Sequence, residues 1–277
     1  MIRIIHLSDP HFGAADTHIA ETFLKCAEEM KPELTILSGD LTMRVRRREL
    51  IMAKNFIDRL PKPRLVIPGN HDIPSINQVL DRFFNPFGRY KATFGNELEP
   101  ELTIAGVHVV SMNSSRAFGF HSDWSEGRLT NEQLMRMKRQ FSNGPINHIR
   151  ILVLHHPLLE LQIDGRAVVK PLKKLMLAIE AAGADLVMCG HFHRSQILLA
   201  GATEQWRAII SQAPTVCSTR LHGEPQGFHE ISIHDGFIEL KHHIFKEGDF
   251  HPAAISVFQK GARGWEEALA QSAQLAN

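Results

Sequence analysis

Ile2-Arg3-Ile4-Ile5-His6-Leu7-Ser8-Asp9-Pro10-His11 passes from an apolar, β-branched run directly into a cluster of metal-binding side chains. Short apolar runs of this kind, bounded by Gly and Pro, read as buried strands. A buried strand has no structural reason to end in Asp and His, because unpaired polar groups are costly to bury. The same juxtaposition recurs along the chain. Residues 34–37 lead into Ser38-Gly39-Asp40 and residues 65–67 into Pro68-Gly69-Asn70-His71-Asp72. Residues 149–154 lead into His155-His156-Pro157, and residues 185–188 into Gly190-His191-Phe192-His193. Five strand ends thus carry oxygen and nitrogen donors, at the edge where open α/β sheets bind ligands.

The intervening segments have helical spacing. Residues 17–30 set Ile19, Phe23, Cys26, Ala27 and Met30 on one face; residues 46–60 do so with Leu50, Ala53, Ile57 and Leu60; residues 171–182 with Leu172, Leu175 and Ile179. Thr130 and Gln133 have the spacing of a capping box, which predicts a further helix start. Strand and helix alternating in this way is the signature of parallel βαβ units. Later strands are expected at 107–112, 196–199, 207–210, 229–233 and 237–245, the last two joined through His234-Asp235-Gly236. An α/β sandwich of two sheets flanked by helices accommodates both halves. Residues 1–249 are read as one catalytic domain. Residues 250–277, where Trp265, Ala268, Leu269 and Leu275 are roughly helically spaced, are read as a C-terminal helical extension.

With 277 residues and 43% hydrophobic content the chain can bury a full core. Lys plus Arg number 31 and Asp plus Glu 30, so the net charge of +1 offers no electrostatic case for nucleic acid or an anionic membrane as partner. Cys26, Cys189 and Cys217 are odd in number and scattered, which fits a reducing compartment better than a disulfide framework. No signal-peptide pattern opens the chain, and no apolar run approaches the ~20 residues of a membrane span. A cytoplasmic protein is expected.

The donors themselves indicate the chemistry. Asp9 and His11 can meet one ion if the segment bends at Pro10, the two oxygens of Asp40 can bridge two ions, and Asn70 offers a neutral carbonyl. His155, His191 and His193 add imidazoles, a mixture suited to two divalent or transition ions such as Mn, Fe or Zn rather than Ca or Mg. Two divalent ions outweigh the two carboxylates, so the site keeps a positive charge. Such a site lowers the pKa of bound water from about 15.7 toward roughly 7 and clamps phosphoryl oxygens for in-line displacement. Attack of a metal-bound hydroxide on a phosphoester is the reaction that follows. Spacing alone leaves the choice between His155 and His156 open.

Taken together, the five motifs resemble the calcineurin-like metallophosphoesterases over residues 1–245. The resemblance implies a four-layer αββα sandwich of two mixed sheets. It implies Asp9, His11, Asp40 and His193 on one metal and Asp40, Asn70, His155 and His191 on the other, the first histidine of His-His-Pro being the ligand. It also implies that His71 contacts the phosphate or protonates the leaving oxygen as general acid, with Asp72 behind it. Ser114-Ser115-Arg116 and Gly127-Arg128-Leu129-Thr130 bring the pattern nearest to bacterial cyclic-nucleotide and glycerophosphodiester phosphodiesterases. Asp40-Leu41-Thr42 and His71-Asp72 depart from the protein phosphatases, and His71 departs from the lipid A pathway pyrophosphatases, which carry Arg there.

A small phosphodiester, cyclic AMP among the candidates, is therefore the expected substrate, and a homodimer is the expected assembly by analogy with the family. Arg116 and His121 are candidate substrate contacts, and His222 and His229 are candidates to approach the site. The run Arg44, Arg46, Arg47, Arg48 reads as an exposed helix start. The competing readings are a DNA-repair type nuclease, which the near-neutral charge disfavours, and a non-catalytic scaffold, which would not need all seven ligands and His71.

Overall fold

A computed structural model describes residues 1–75, 78–116, 126–158, 168–268 and 273–274. Two mixed sheets face each other. The first has the order β13-β12-β11-β10-β1-β2-β3, built from β1 (Ile2–Leu7), β2 (Leu34–Leu37), β3 (Arg64–Val66), β10 (Gly227–His234), β11 (Phe237–Lys246), β12 (Asp249–Gly261) and β13 (Gly264–Glu267). The short β14 (Ala273–Gln274) also pairs with β12. The second sheet has the order β4-β5-β6-β7-β9-β8, from β4 (Glu101–Ile104), β5 (Val107–Ser111), β6 (Ile149–Val153), β7 (Leu186–Cys189), β8 (Gln196–Ala200) and β9 (Ala208–Gln212). The strands that lead into the five motifs, β1, β2, β3, β6 and β7, run parallel to their motif-bearing neighbours in each sheet, so their C-terminal ends lie together.

Three apolar clusters hold these layers. Between the sheets pack Ile4, Ile36, Leu65, Val109, Ile151, Met188 and Ile231, among others. On the outer face of the first sheet, α1 (Thr17–Met30) and α2 (Arg47–Arg59) bury Phe23, Ala27, Phe56 and Ile57. On the outer face of the second, α5 (Asn131–Asn143) and α6 (Leu172–Ala182) bury Met137, Phe141, Leu175 and Ile179. The order is therefore helix, sheet, sheet, helix. Two short helices, α3 (Val79–Phe84) and α4 (Gly88–Phe94), bridge the halves.

Local chemistry sets several boundaries. The Asp16 carboxylate caps α1 by accepting from the amides of His18 and Ile19. Thr130 Oγ1 accepts from Gln133 N while Gln133 Oε1 accepts from Thr130 N, closing the capping box. Each such cap stabilises its helix by about 1 kcal/mol. Asp235 and Gly236 both take positive φ between β10 and β11, as a two-residue hairpin turn requires.

The C-terminal segment differs from the helix expected there. Asp249–Gly261 is the longest strand, and Gly264–Glu267 folds back on it. The free edge of β11 offers unpaired backbone groups that a strand can satisfy and a helix cannot. Phe258 and Trp265 then enter the core between the sheets, and Phe250 the core beneath α1. Trp265 Nε1 and Lys260 Nζ both donate to Asp185 Oδ1 at the base of β7, tying the tail to the second sheet. Leu269 and Leu275 lie outside the described residues.

Candidate metal centre

Five of the motif residues sit at strand ends with left-handed backbone: Asp9 (φ 54°), His11 (48°), Asp40 (52°), His191 (76°) and His193 (58°). For residues with a Cβ this costs about 1–3 kcal/mol each, a strain that clusters at functional sites. It turns the chain sharply where β1, β2 and β7 end. The bend expected at Pro10 is thus made by its two neighbours. Backbone bonds then zip the loops together, Asp9 N to Gly39 O, His11 N to Asp40 O and Gly190 N to His155 O.

The seven predicted ligands converge. His11 Nε2 lies 2.9 Å from His193 Nε2, 3.6 Å from Asp9 Oδ1 and 3.5 Å from Asp40 Oδ2. His193 Nε2 is 3.5 Å from Asp9 Oδ1. On the other side, His155 Nε2 lies 3.4 Å from Asp40 Oδ2, 3.1 Å from Asn70 Oδ1 and 3.3 Å from His191 Nδ1. One oxygen of Asp40 therefore belongs to both groups. All of these side chains are buried except Asn70, which is half-buried.

The donor atoms fit a pair of cations. His193 Nδ1 faces Arg220 O at 2.7 Å and His155 Nδ1 faces Ser38 O at 2.8 Å, so each of these protons is fixed on Nδ1 and the Nε2 lone pair points inward. Asp9 Oδ1 is buried with no hydrogen-bond donor. In the first group a single proton between His11 and His193 leaves Asp9 Oδ1 unsatisfied, whereas a divalent ion would satisfy all four atoms. In the second group His155 Nε2 faces two oxygens, which without a metal requires the imidazolium. Burial alone would depress His155, yet the charge and hydrogen bond of Asp40 and the charge of Asp9 raise it to about 9. Burial pushes His11 down to about 4 against the pull of both carboxylates, and burial with the charge of His155 pushes His191 down to about 3. Burial would raise Asp9 and Asp40, but the imidazoles around them outweigh it and hold both well below the ordinary carboxylate range.

His71 borders this centre. Its backbone N–H donates to Asp40 Oδ1 at 2.8 Å, and its Nδ1 faces Met43 O at 3.0 Å, which leaves Nε2, 3.5 Å from Arg220 Nη1, as the other ring nitrogen. Its ring stands edge-on to His11 at 4.8 Å. Asp72 is buried behind it, accepting from the amides of Leu41, Thr42 and Gly69 and from Thr42 Oγ1. Burial and the charge of Asp40 raise its pKa to about 7, while those bonds pull the other way.

The two histidines that spacing left open face different partners, and the ligand atoms of His155, His156 and His191 lie within 4.8 Å of one another. His155 faces Asp40 and Asn70, whereas His156 Nδ1 pairs with Ser114 Oγ at 2.8 Å and its ring packs 4.8 Å from His191. Arg116 points to Glu126, 3.5 Å away. His121 lies outside the described residues. Arg44, Arg46, Arg47 and Arg48 are exposed at the start of α2, as read from the sequence. His222 approaches the site, its ring 4.9 Å from His193. His229 does not; it lies between the sheets in a hydrogen-bonded chain, Ser38–His6–Ser211–His229–Ser195.

Sequence reasoning missed Arg220, whose carbonyl orients His193 and whose guanidinium stands 3.5 Å from His71 Nε2. It also missed Thr215, whose hydroxyl donates to Asp9 O at 2.6 Å. Their one sequence signal is the long irregular connection between β9 and β10, of the kind that is usually functional.

Known proteins resemble this chain in sequence and in fold. Across 189 residues the chain is 28% identical to "Probable glycerophosphodiester phosphodiesterase GpdQ" of Arcobacter nitrofigilis, covering 65% of this chain and 61% of that protein. The chain thus spans about three fifths of that relative's length. Across 195 residues it is 25% identical to a "Probable cyclic nucleotide phosphodiesterase" of Synechococcus sp., covering 69% of each. The fold is similar to that of purple acid phosphatase PPD1 from yellow lupin, with a TM-score of 0.67 at 11% identity over 91% of this chain and 52% of that one. It is also similar to Vps29 of Chaetomium thermophilum, with a TM-score of 0.50 at 10% identity over 94% of this chain and 100% of that one. No helix among the described residues is long and apolar enough to cross a membrane. Residues 2–195, which carry all five motifs, match the calcineurin-like phosphoesterases, and the chain belongs to that family.

Proposed function

We propose that this protein is a dinuclear metal phosphodiesterase acting on small diesters, with 3′,5′-cyclic AMP among the candidate substrates. The observation that carries the reading is the position of Asp40 Oδ2, 3.5 Å from His11 Nε2 and 3.4 Å from His155 Nε2, shared by two clusters of donor atoms. Asp9, His11, Asp40 and His193 would hold one ion, and Asp40, Asn70, His155 and His191 the other. Mn, Fe or Zn ions held by these residues would supply Lewis-acid activation of water and of the phosphoryl group.

The chain's own residues do the rest. Asp40, gripped by the His71 amide, keeps the two ligand groups in register. His155 and His193 are held by the carbonyls of Ser38 and Arg220, so neither can rotate away from the site. As the ester P–O bond breaks, the leaving alcohol oxygen needs a proton; Nδ1–H of His71 is held by Met43 O, so His71 would give it from Nε2 as the imidazolium and be left with Nδ1–H alone. Preference for diesters is supported by what the two curated relatives are described as hydrolysing.

The test is kinetic. Protein stripped with chelator and reloaded with Mn, Fe or Zn is assayed against bis(p-nitrophenyl) phosphate, cyclic AMP, cyclic GMP, glycerophosphodiesters and p-nitrophenyl phosphate. Activity should require metal and favour a diester. Full turnover by the stripped protein, or a monoester preferred over every diester, defeats the proposal.

A further inference from the structure

Among the described residues, buried or half-buried arginines have oxygen acceptors: Arg82 donates to Pro74 O, Arg116 faces Glu126, Arg150 donates to Ala182 O and Arg194 to His222 O. Arg220 is the exception. Its half-buried guanidinium meets only Met43 Sδ at 3.7 Å and His71 Nε2 at 3.5 Å, and among the described residues no carboxylate pairs with it. A guanidinium has five N–H donors and cannot lose its charge, so thioether and imidazole are poor substitutes for the water it gave up.

The loop that carries it is firmly built. Thr219 N and Oγ1 both donate to Ala14 O, Ser218 N donates to Thr215 Oγ1, and Arg220 N donates to Ser218 Oγ. Arg220 O meanwhile accepts from His193 Nδ1. One residue thus orients a ligand histidine through its backbone and presents a cation through its side chain, on the His71 side of the centre.

We propose that the Arg220 guanidinium binds a non-bridging oxygen of the substrate's phosphoryl group, beside the ester oxygen that His71 serves. The assignment rests on the phosphoesterase reading above. It adds a third positive group to the site and makes Arg220, rather than Arg116, the side chain that recognises the anion. Planar N–H pairs suit phosphate oxygens.

Because the carbonyl that holds His193 belongs to the backbone, changing the side chain separates anion binding from metal binding. Arg220→Met and Arg220→Lys are compared with the parent, each loaded with Mn, for metal content, melting temperature, orthophosphate binding by calorimetry and turnover of bis(p-nitrophenyl) phosphate. Arg220→Met should keep both metals and bind orthophosphate on the order of 10- to 100-fold more weakly, the size of one charge-assisted bond. Its KM should rise with it, and Arg220→Lys should recover part of the loss. Unchanged orthophosphate binding in Arg220→Met overturns the proposal, as does loss of metal from both variants, which would make the residue structural. A parent that binds orthophosphate through Arg220 yet hydrolyses no phosphoester supports the anion site and defeats the phosphodiesterase reading. An active parent indistinguishable from Arg220→Met defeats the anion site alone.

Discussion

Replacing Gly69 by alanine should disable the centre without unfolding the chain. Gly69 has φ −105° and ψ −172°, a backbone conformation open to any residue, so the added methyl is the only perturbation. That Cβ would stand 2.1 Å from Asp40 Oδ1 and 2.4 Å from Asp40 N. Ordinary contact begins near 3.4 Å, so the two loops must part by about 1 Å. Rotation of the carboxylate relieves only the first clash; the backbone nitrogen moves only with its loop. Because Asp40 Oδ2 lies between both ligand groups, the shift opens the two together. A displacement of about 1 Å at a reacting centre can cost roughly 100-fold in rate, while overpacking costs about 1–3 kcal/mol of stability. Turnover of bis(p-nitrophenyl) phosphate and metal content should therefore fall while the denaturation transition stays cooperative. Gly236→Ala is the control: φ there is 81° with nothing within 4 Å of the added carbon, so it should cost about 1–2 kcal/mol and leave turnover intact. A fully active Gly69→Ala protein would refute the reasoning.

Acid should weaken the fold through its buried neutral histidines, which outnumber the one opposing group, the Asp72 carboxyl raised to about 7. Burial pushes His6 down to about 3, His229 well below its ordinary value and, with the charge of His243, His242 down to about 4. The unfolded chain takes up those protons below about pH 6.5 and the folded chain does not. Stability should fall by up to about 1.4 kcal/mol per pH unit for each such histidine from there to the folded pKa values. Urea midpoints of the chelator-treated protein that stay flat between pH 6.5 and 4.5 would exclude this. Trp265→Ala should destabilise by about 3–5 kcal/mol, measured by urea unfolding, because it empties a site between the sheets and removes the bond to Asp185. A cost below 1 kcal/mol would mean the tail is not part of the core. His71→Ala should keep its metals, since the amide that holds Asp40 remains, and lose roughly 10²- to 10⁴-fold in kcat. Equal loss of metal and activity would instead give His71 a structural role.

Much of the site was legible because its signals are local. Each ligand-bearing motif follows its own buried strand, and the contrast between apolar run and polar end survives whatever the strand packs against. Helices α1, α2, α5 and α6 were legible for a similar reason, since apolar spacing and the Thr130–Gln133 cap depend on neighbours within a few turns. The tail was misread because Trp265, Ala268, Leu269 and Leu275 imitate a helical stripe, while the edge of β11 that draws Asp249–Gly261 into a strand is a nonlocal partner.

From residue order alone came the two-sheet layout, the set of converging donors and the proposal of metal-dependent hydrolysis, because those follow from periodicity and from what Asp, Asn and His can bind. Direction came from packing. His155 turns to Asp40 while His156 turns to Ser114, His229 sinks between the sheets, and Arg220 arrives beside His71 from far along the chain. Two adjacent histidines differ only in which way the fold points them, and an arginine becomes part of a site only when distant strands bring its loop there.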